Sequence, residues 1–188
     1  MAVPQTKRTL AEYLAWEDAQ PSRNEFHRGE VFAMVGARRT HGRVVLNLSR
    51  RLAEQLDGTP CQVFAEGMKV QIADDTVFYP DVFVTCDKAD LATDMVFRAP
   101  TLVIEVLSPS TQAYDRSLKF AIYRQLTSLK EYILVDPDTQ RVEGFRRGAD
   151  DLWVLHDMSQ DAAMQAASVG CSVPLAQVFQ GMVPDVEP

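Results

Sequence analysis

Two carboxylates stand where carboxylates are hard to keep. Glu105 is the lone charged residue in the run Thr101-Leu102-Val103-Ile104-Glu105-Val106-Leu107, and Asp81 sits in Val77-Phe78-Tyr79-Pro80-Asp81-Val82-Phe83-Val84. An ionised carboxylate inside an apolar strand is costly unless it is paired, protonated or bound to a metal. Two of them on neighbouring strands could share a hard divalent cation through oxygen ligands. They could equally pair with arginines or cap loops, and patterning alone leaves both readings open. Strand alternation puts Val103, Glu105 and Leu107 on one face, and Leu102, Ile104 and Val106 on the other. Pro80 cannot donate to a ladder, so a bend or an edge is expected where Asp81 emerges.

Other residues are candidates by their distance from this pair. Lys119 falls on a helix expected to follow the Glu105 strand and to pack back across the sheet. A lysine there could orient a metal-bound water or neutralise a phosphate, or be an ordinary solvated side chain. Tyr123, four residues on, shares its face and could bond a substrate or pack on the sheet. Asp115 falls in the first turn of that helix, where the dipole favours a carboxylate cap. Ser108-Pro109-Ser110-Thr111 directly follows the strand and reads as capping chemistry, or as ligand contacts at a strand's carboxyl end. Glu66 and Lys69 precede Asp81, and either could line a site. His41, beside Arg38, Arg39 and Arg43, could meet a phosphate at a helix N-terminus. Glu30 is an accessory carboxylate or a surface residue near a turn.

Several elements must position these groups. Thr9-Leu10-Ala11-Glu12 reads as a capping box opening a helix through about Asp18. Residues 25–35 read as a hairpin turning at Arg28-Gly29. Residues 40–56 are the clearest helix, with Val44, Leu48, Leu52 and Leu56 forming a stripe beside Val45, and Asp57-Gly58 ending it. Residues 61–72, 77–86 and 101–107 read as strands, the last covered on both faces. A helix over about 113–126, with Leu118, Ile122 and Leu126 on one face, leads to a strand at 131–135 expected to run parallel to 101–107. A hairpin over 141–147 and 152–156 and a helical turn within 174–180 complete the chain. This is an α/β or α+β domain with a mixed β-sheet flanked by helices and additional β-hairpins.

The 188 residues are 46% hydrophobic and 24% charged, which fits one ordered domain over 1–188. The formal net charge of -7 argues against a surface coated in positive charge for non-specific nucleic-acid binding. Cys61, Cys86 and Cys171 are far apart, odd in number and without a CxxC pairing, so neither a disulfide framework nor a structural zinc site is expected, and a reducing cytoplasm fits. The opening residues lack the apolar stretch of a signal peptide, and no run is long and apolar enough to span a membrane. Phosphate-loop, GxSxG and HExxH patterns are missing.

Pro80-Asp81-Val82-Phe83-Val84, the run from Pro100 to Thr111, then Asp115, Lys119 and Tyr123, and finally Glu131-Tyr132-Ile133-Leu134-Val135-Asp136-Pro137 form an ordered series. It resembles the Uma-type family of restriction-endonuclease-like proteins, within the PD-(D/E)XK nuclease superfamily. The resemblance is specific from Pro80 to Pro137, looser from about Glu25, and fades after Arg147, a catalytic core of about 25–147. It implies a restriction-endonuclease-like core, Mg²⁺ (or Mn²⁺) held by Asp81 and Glu105, and hydrolysis of DNA phosphodiesters. Asp81 would be the Asp of the PD motif and Glu105 the acidic residue of the (D/E)XK motif. Val106 and Leu107 follow Glu105, so the motif lysine is missing and Lys119 stands as its replacement. Superfamily members often dimerise, so a homodimer is a further expectation. The alternative is a catalytically inactive nuclease-fold protein that binds nucleic acid or a protein partner.

Overall fold

The computed structural model describes residues 7–34 and 36–182. The expected last residue of the early hairpin, Val35, and both chain ends lie outside the described residues. Helix α1 (Leu10–Glu17) opens with the expected capping box: Glu12 N–H donates to Thr9 Oγ1 at 3.3 Å, and Thr9 N–H donates to Glu12 Oε2 at 2.7 Å. Strands β1 (Asn24–His27) and β2 (Glu30–Ala33) form the early hairpin. Its two-residue turn puts Arg28 at φ 50° and Gly29 at φ 88°. Positive φ at both positions matches the right-handed twist of the flanking strands, and glycine takes it without a Cβ penalty. Helix α2 (Arg39–Leu56) buries the whole apolar stripe of Val44, Val45, Leu48, Leu52 and Leu56.

The next segment departs from expectation in a way that matters. Two long strands become four: β3 (Gln62–Ala65), β4 (Lys69–Ala73), β5 (Thr76–Phe78) and β6 (Val82–Thr85). The outer two belong to one sheet and the inner two to another. The chain leaves the first sheet at Glu66-Gly67 and returns at Tyr79-Pro80-Asp81. At the exit, Glu66 has φ 23° and Gly67 φ 91°. The left-handed φ at Gly67 favours glycine, and the Arg23 guanidinium packs into the space a Cβ would take. At the return, Pro80 ends the ladder and Asp81 sits on a bend just before β6.

Strand β7 (Val96–Phe97) is short and precedes β8 (Pro100–Val106), the central strand. After it, α3 (Gln112–Tyr114), a π-helical stretch (Asp115–Lys119) and α4 (Phe120–Tyr123) run on as one helical segment. The expected Leu118, Ile122, Leu126 face is only partly realised, because Leu118 is 48% exposed while the other two are buried. The wide π turn gives the inward positions to Asp115 and Lys119 instead. Then come β9 (Glu131–Asp136), β10 (Arg141–Arg147), β11 (Trp153–Asp157), and an unexpected hairpin of β12 (Ala163–Ala166) and β13 (Cys171–Pro174), with the single turn α5 (Leu175–Val178) closing the described chain.

The larger sheet has the order β11-β10-β9-β8-β6-β3 and is mixed: β8 and β9 are parallel, as expected, and the other pairs antiparallel. The smaller sheet has the order β2-β1-β5-β4-β7. One face of the larger sheet, with Leu102, Ile104 and Val106, packs on α2 and the C-terminal hairpin. The opposite face, with Val103 and Leu107, packs on the π-helical segment and on Val70 and Phe78 of the smaller sheet. The alternation expected around Glu105 therefore holds, and Glu105 points into the junction of two sheets and a helix. Phe179 is buried against α2's layer and Trp153 is partly buried, whereas Leu152, Val154 and Leu155 at edge strand β11 stay exposed. No helix among the described residues is long and apolar enough to cross a membrane.

One expectation is overturned. Cys61 and Cys86 are joined by a disulfide, with Cα atoms 4.0 Å apart. Pairing of Gln62 with Thr85 at the ends of β3 and β6 sets the two cysteines opposite one another one step further out. A separation of 25 residues hides a neighbour relation that antiparallel pairing creates. Cys171 is free and buried. Reducing the bond is expected to cost about 2–4 kcal/mol, a fall of several degrees in the thermal midpoint. An unchanged midpoint, with three thiols reactive in the unfolded protein before any reductant is added, would show that the pair is not bonded.

Candidate active site

Asp81 and Glu105 come together because β6 and β8 are hydrogen-bonded neighbours. Val82 lies opposite Ile104, which sets Asp81 beside Glu105. The Val106 N–H donates to Asp81 Oδ2 at 2.7 Å, tying the bend to the central strand. The Glu66 N–H donates to the Asp81 carbonyl at 3.1 Å, so the two points where the chain changes sheet touch each other. His41, near the start of α2, lies with Nε2 3.2 Å from Asp81 Oδ1. Burial disfavours its imidazolium, but the contact with Asp81 outweighs burial and its pKa lies above the usual histidine value. His41, Glu66 and Asp81 each offer a ligand atom, all within 4.8 Å of one another.

These groups line a cavity of about 700 Å³ with Glu105, Lys119 and Asp115 at its floor. The Lys119 ammonium is 3.0 Å from Glu105 Oε1, 3.0 Å from Glu25 Oε1 and 3.9 Å from Asp115 Oδ1. Burial works against that ammonium, yet Glu105 and Glu25 beside it hold its pKa well above the ordinary lysine value. Burial drives the Glu105 carboxyl well upward, with Lys119 pulling the other way and Asp81, Asp115 and Glu25 adding repulsion. Glu105 Oε1 is buried and receives no hydrogen bond; the lysine contact lacks the alignment of one. Five carboxylates line the cavity (Glu25, Glu66, Asp81, Glu105 and Asp115). A buried carboxylate oxygen without a hydrogen-bond donor, in a cavity that other carboxylates and an imidazole also line, suits a hard divalent cation. Such a cation would favour the ionised form of Glu105.

The remaining candidates divide. Lys119 is buried in the site and not solvated. Asp115 is buried beside it and is no helix cap. Ser108, Ser110 and Thr111 line the cavity and bond one another at 3.0 Å, and no side chain caps the helix that follows. Glu66 reaches the cavity, while Lys69 points away to Glu17 and Asp18 at 2.8 and 2.6 Å. Glu30 is exposed at the start of β2 and does not line the cavity. Tyr123 sits behind Lys119 without lining the cavity, its ring edge-on to Phe78 with centroids 5.5 Å apart.

Glu25 and Tyr114 are site residues that sequence reasoning missed. The available signal was alternation: Phe26 stacks on Tyr13, so the next residue back on β1 faces the other way.

A mixed sheet flanked by helices, with buried Glu105, half-buried Asp81 and a buried lysine at a strand-end cavity, defines a restriction-endonuclease-like α+β protein. The chain belongs to the Uma2 family, described as "Putative restriction endonuclease", whose model matches residues 10–176. It is 32% identical over 182 residues to "Uncharacterized protein slr1290" from Synechocystis sp., covering 96% of each chain. It is 35% identical over 167 residues to "Uncharacterized protein sll1609" from the same organism, covering 87% of this chain and 94% of the relative. A crystal structure of a putative nuclease belonging to DUF820 from Anabaena variabilis has the same fold, with TM-score 0.75 and 18% identity over 92% of this chain and 97% of that one.

The Tyr123 hydroxyl is buried with no partner among the described residues. Tyr123→Phe removes it and is expected to leave stability unchanged or raise it by about 1 kcal/mol in urea unfolding. A loss of more than about 1 kcal/mol would mean that the hydroxyl is satisfied in solution.

Proposed function

We propose that this protein is a divalent-metal-dependent endonuclease that hydrolyses DNA phosphodiester bonds. The observation that carries the reading is Glu105: a carboxylate 2% exposed, with one oxygen lacking a donor, beside Asp81 in a cavity that also holds a lysine. Asp81 and Glu105 are the residues that hold Mg²⁺ or Mn²⁺, with His41 and Glu66 within reach of the same region. The chemistry such an ion supplies when bound is a lowered pKa for water and an offset of charge on the scissile phosphate. Lys119 is fixed by its carboxylates so that its ammonium orients the attacking water and balances charge building on the phosphate oxygens. The π turn supports this role, because it turns Lys119 inward and so supplies from a helix what Val106 and Leu107 cannot supply from the strand. Arg23 and Arg38 line the same cavity and give the substrate backbone positive contacts in an acidic chain.

The second reading, a binding module that cuts nothing, draws on the lysine's satisfaction within its own carboxylates. Metal binding separates the two. Mg²⁺ or Mn²⁺ at a hundred times its Kd is expected to stabilise the fold by about 2.7 kcal/mol. Asp81→Asn and Glu105→Gln should lower metal-dependent cleavage of plasmid and linear DNA about a hundredfold or more. Circular dichroism should show the fold intact in both variants. Full cleavage by either variant, or no stabilisation of the parent protein by metal, would sink the nuclease reading.

A further inference from the structure

We infer that Glu25, on the other sheet, is the positioning residue that draws the Lys119 ammonium away from Glu105 so that Glu105 can take a divalent cation. This inference rests on the metal reading of Asp81 and Glu105. Lys119 Nζ stands 3.0 Å from Glu105 Oε1, so it already neutralises part of the charge that a metal on Glu105 would need. Ammonium and metal are both cations, and they compete for the charge of one buried carboxylate. For Glu105 to bind metal, the lysine must lean elsewhere without losing its counter-charge, because a buried unpaired ammonium is costly.

Glu25 meets that need. Its Oε1 is 3.0 Å from the same ammonium. It is itself fixed, because the Tyr79 N–H donates to that oxygen at 3.3 Å and β1 is hydrogen-bonded on both edges, to β2 and to β5. Asp115 is a poorer receiver: it lies 3.9 Å away, on the same helical segment, and moves with the lysine. Glu25 also holds Tyr79, two residues before Asp81, so one carboxylate steadies both the lysine and the approach to the first metal ligand. The early hairpin is thus part of the site as well as a cover for α1.

A double-mutant cycle read by calorimetric Mn²⁺ titration tests this, with no need for catalysis. Glu25→Gln keeps an oxygen for the Tyr79 N–H and removes the charge. In the parent background it is expected to weaken Mn²⁺ binding about tenfold. Lys119→Met removes the competing ammonium and should tighten binding. In that background Glu25→Gln should change Mn²⁺ affinity less than about twofold. An equal loss in both backgrounds would overturn the inference, making Glu25 a ligand or a distant field. No loss in either would overturn it as well. A parent protein that binds no Mn²⁺ would fail the metal reading itself, and the inference with it, a result distinct from both. If the double variant does not fold, Glu25→Asp decides: it keeps the charge and shortens the reach, so the contact requires a loss close to that of Glu25→Gln. Parent-like affinity would overturn it.

Discussion

A lysine ammonium and three carboxylates are held out of water where two sheets and a helix meet. Much of the fold follows from satisfying that group. The Lys119 ammonium lies within 4 Å of Glu25, Glu105 and Asp115, each supplied by a different element. Removing the lysine leaves three buried carboxylates with no counter-charge, which costs more than an intact pair contributes. The cluster therefore fixes how the elements sit: β1 against the helical segment, and the helical segment against β8. It explains the π turn, which gives up an apolar contact at Leu118 to bring Asp115 and Lys119 inward together.

The second organising feature is the pair of points where the chain changes sheet. A strand that stays in one sheet alternates its side chains between two faces, and no carboxylate gathers at its end. By leaving at Glu66-Gly67 and returning at Tyr79-Pro80-Asp81, the chain places two carboxylates on adjoining bends beside the central strand. Pro80 and Gly67 serve opposite needs there, one ending a ladder and the other permitting a backbone that a Cβ would block. The strained φ at Glu66 belongs to the same device: unusual backbone is tolerated where the surrounding structure over-determines it. At the far end of the β3–β6 ladder, the Cys61–Cys86 bond ties the edge strand to its neighbour.

Membership of the Uma2 family and the shared fold agree with the chemistry suggested by isolated carboxylates in apolar strands. They do not stand in for it. In this cavity the Lys119 ammonium comes from a helical segment and meets carboxylates from both sheets. Although the chain is acidic overall, Arg23 and Arg38 put positive charge at the cavity.

Short-range physics made much of this legible in the sequence. The capping box of α1, the Arg28-Gly29 turn, the stripe of α2, the buried run around Glu105 and its parallel partner strand all follow from contacts within a few residues, or from simple periodicity. Asp81 and Glu105 were legible because charge in an apolar strand is an anomaly visible without a structure. Long-range pairing decided the rest. The division of 61–86 between two sheets, the Cys61–Cys86 bond and the C-terminal hairpin depend on which strands meet, and spacing does not encode that. Glu25 shows the limit most clearly. Alternation turns Glu25 away from Phe26, but nothing local says what that face of a short hairpin strand will meet. Only when the smaller sheet packs on the larger does its carboxylate meet a lysine 94 positions away, on a helical segment, because that contact joins elements that are neighbours in space and not in sequence.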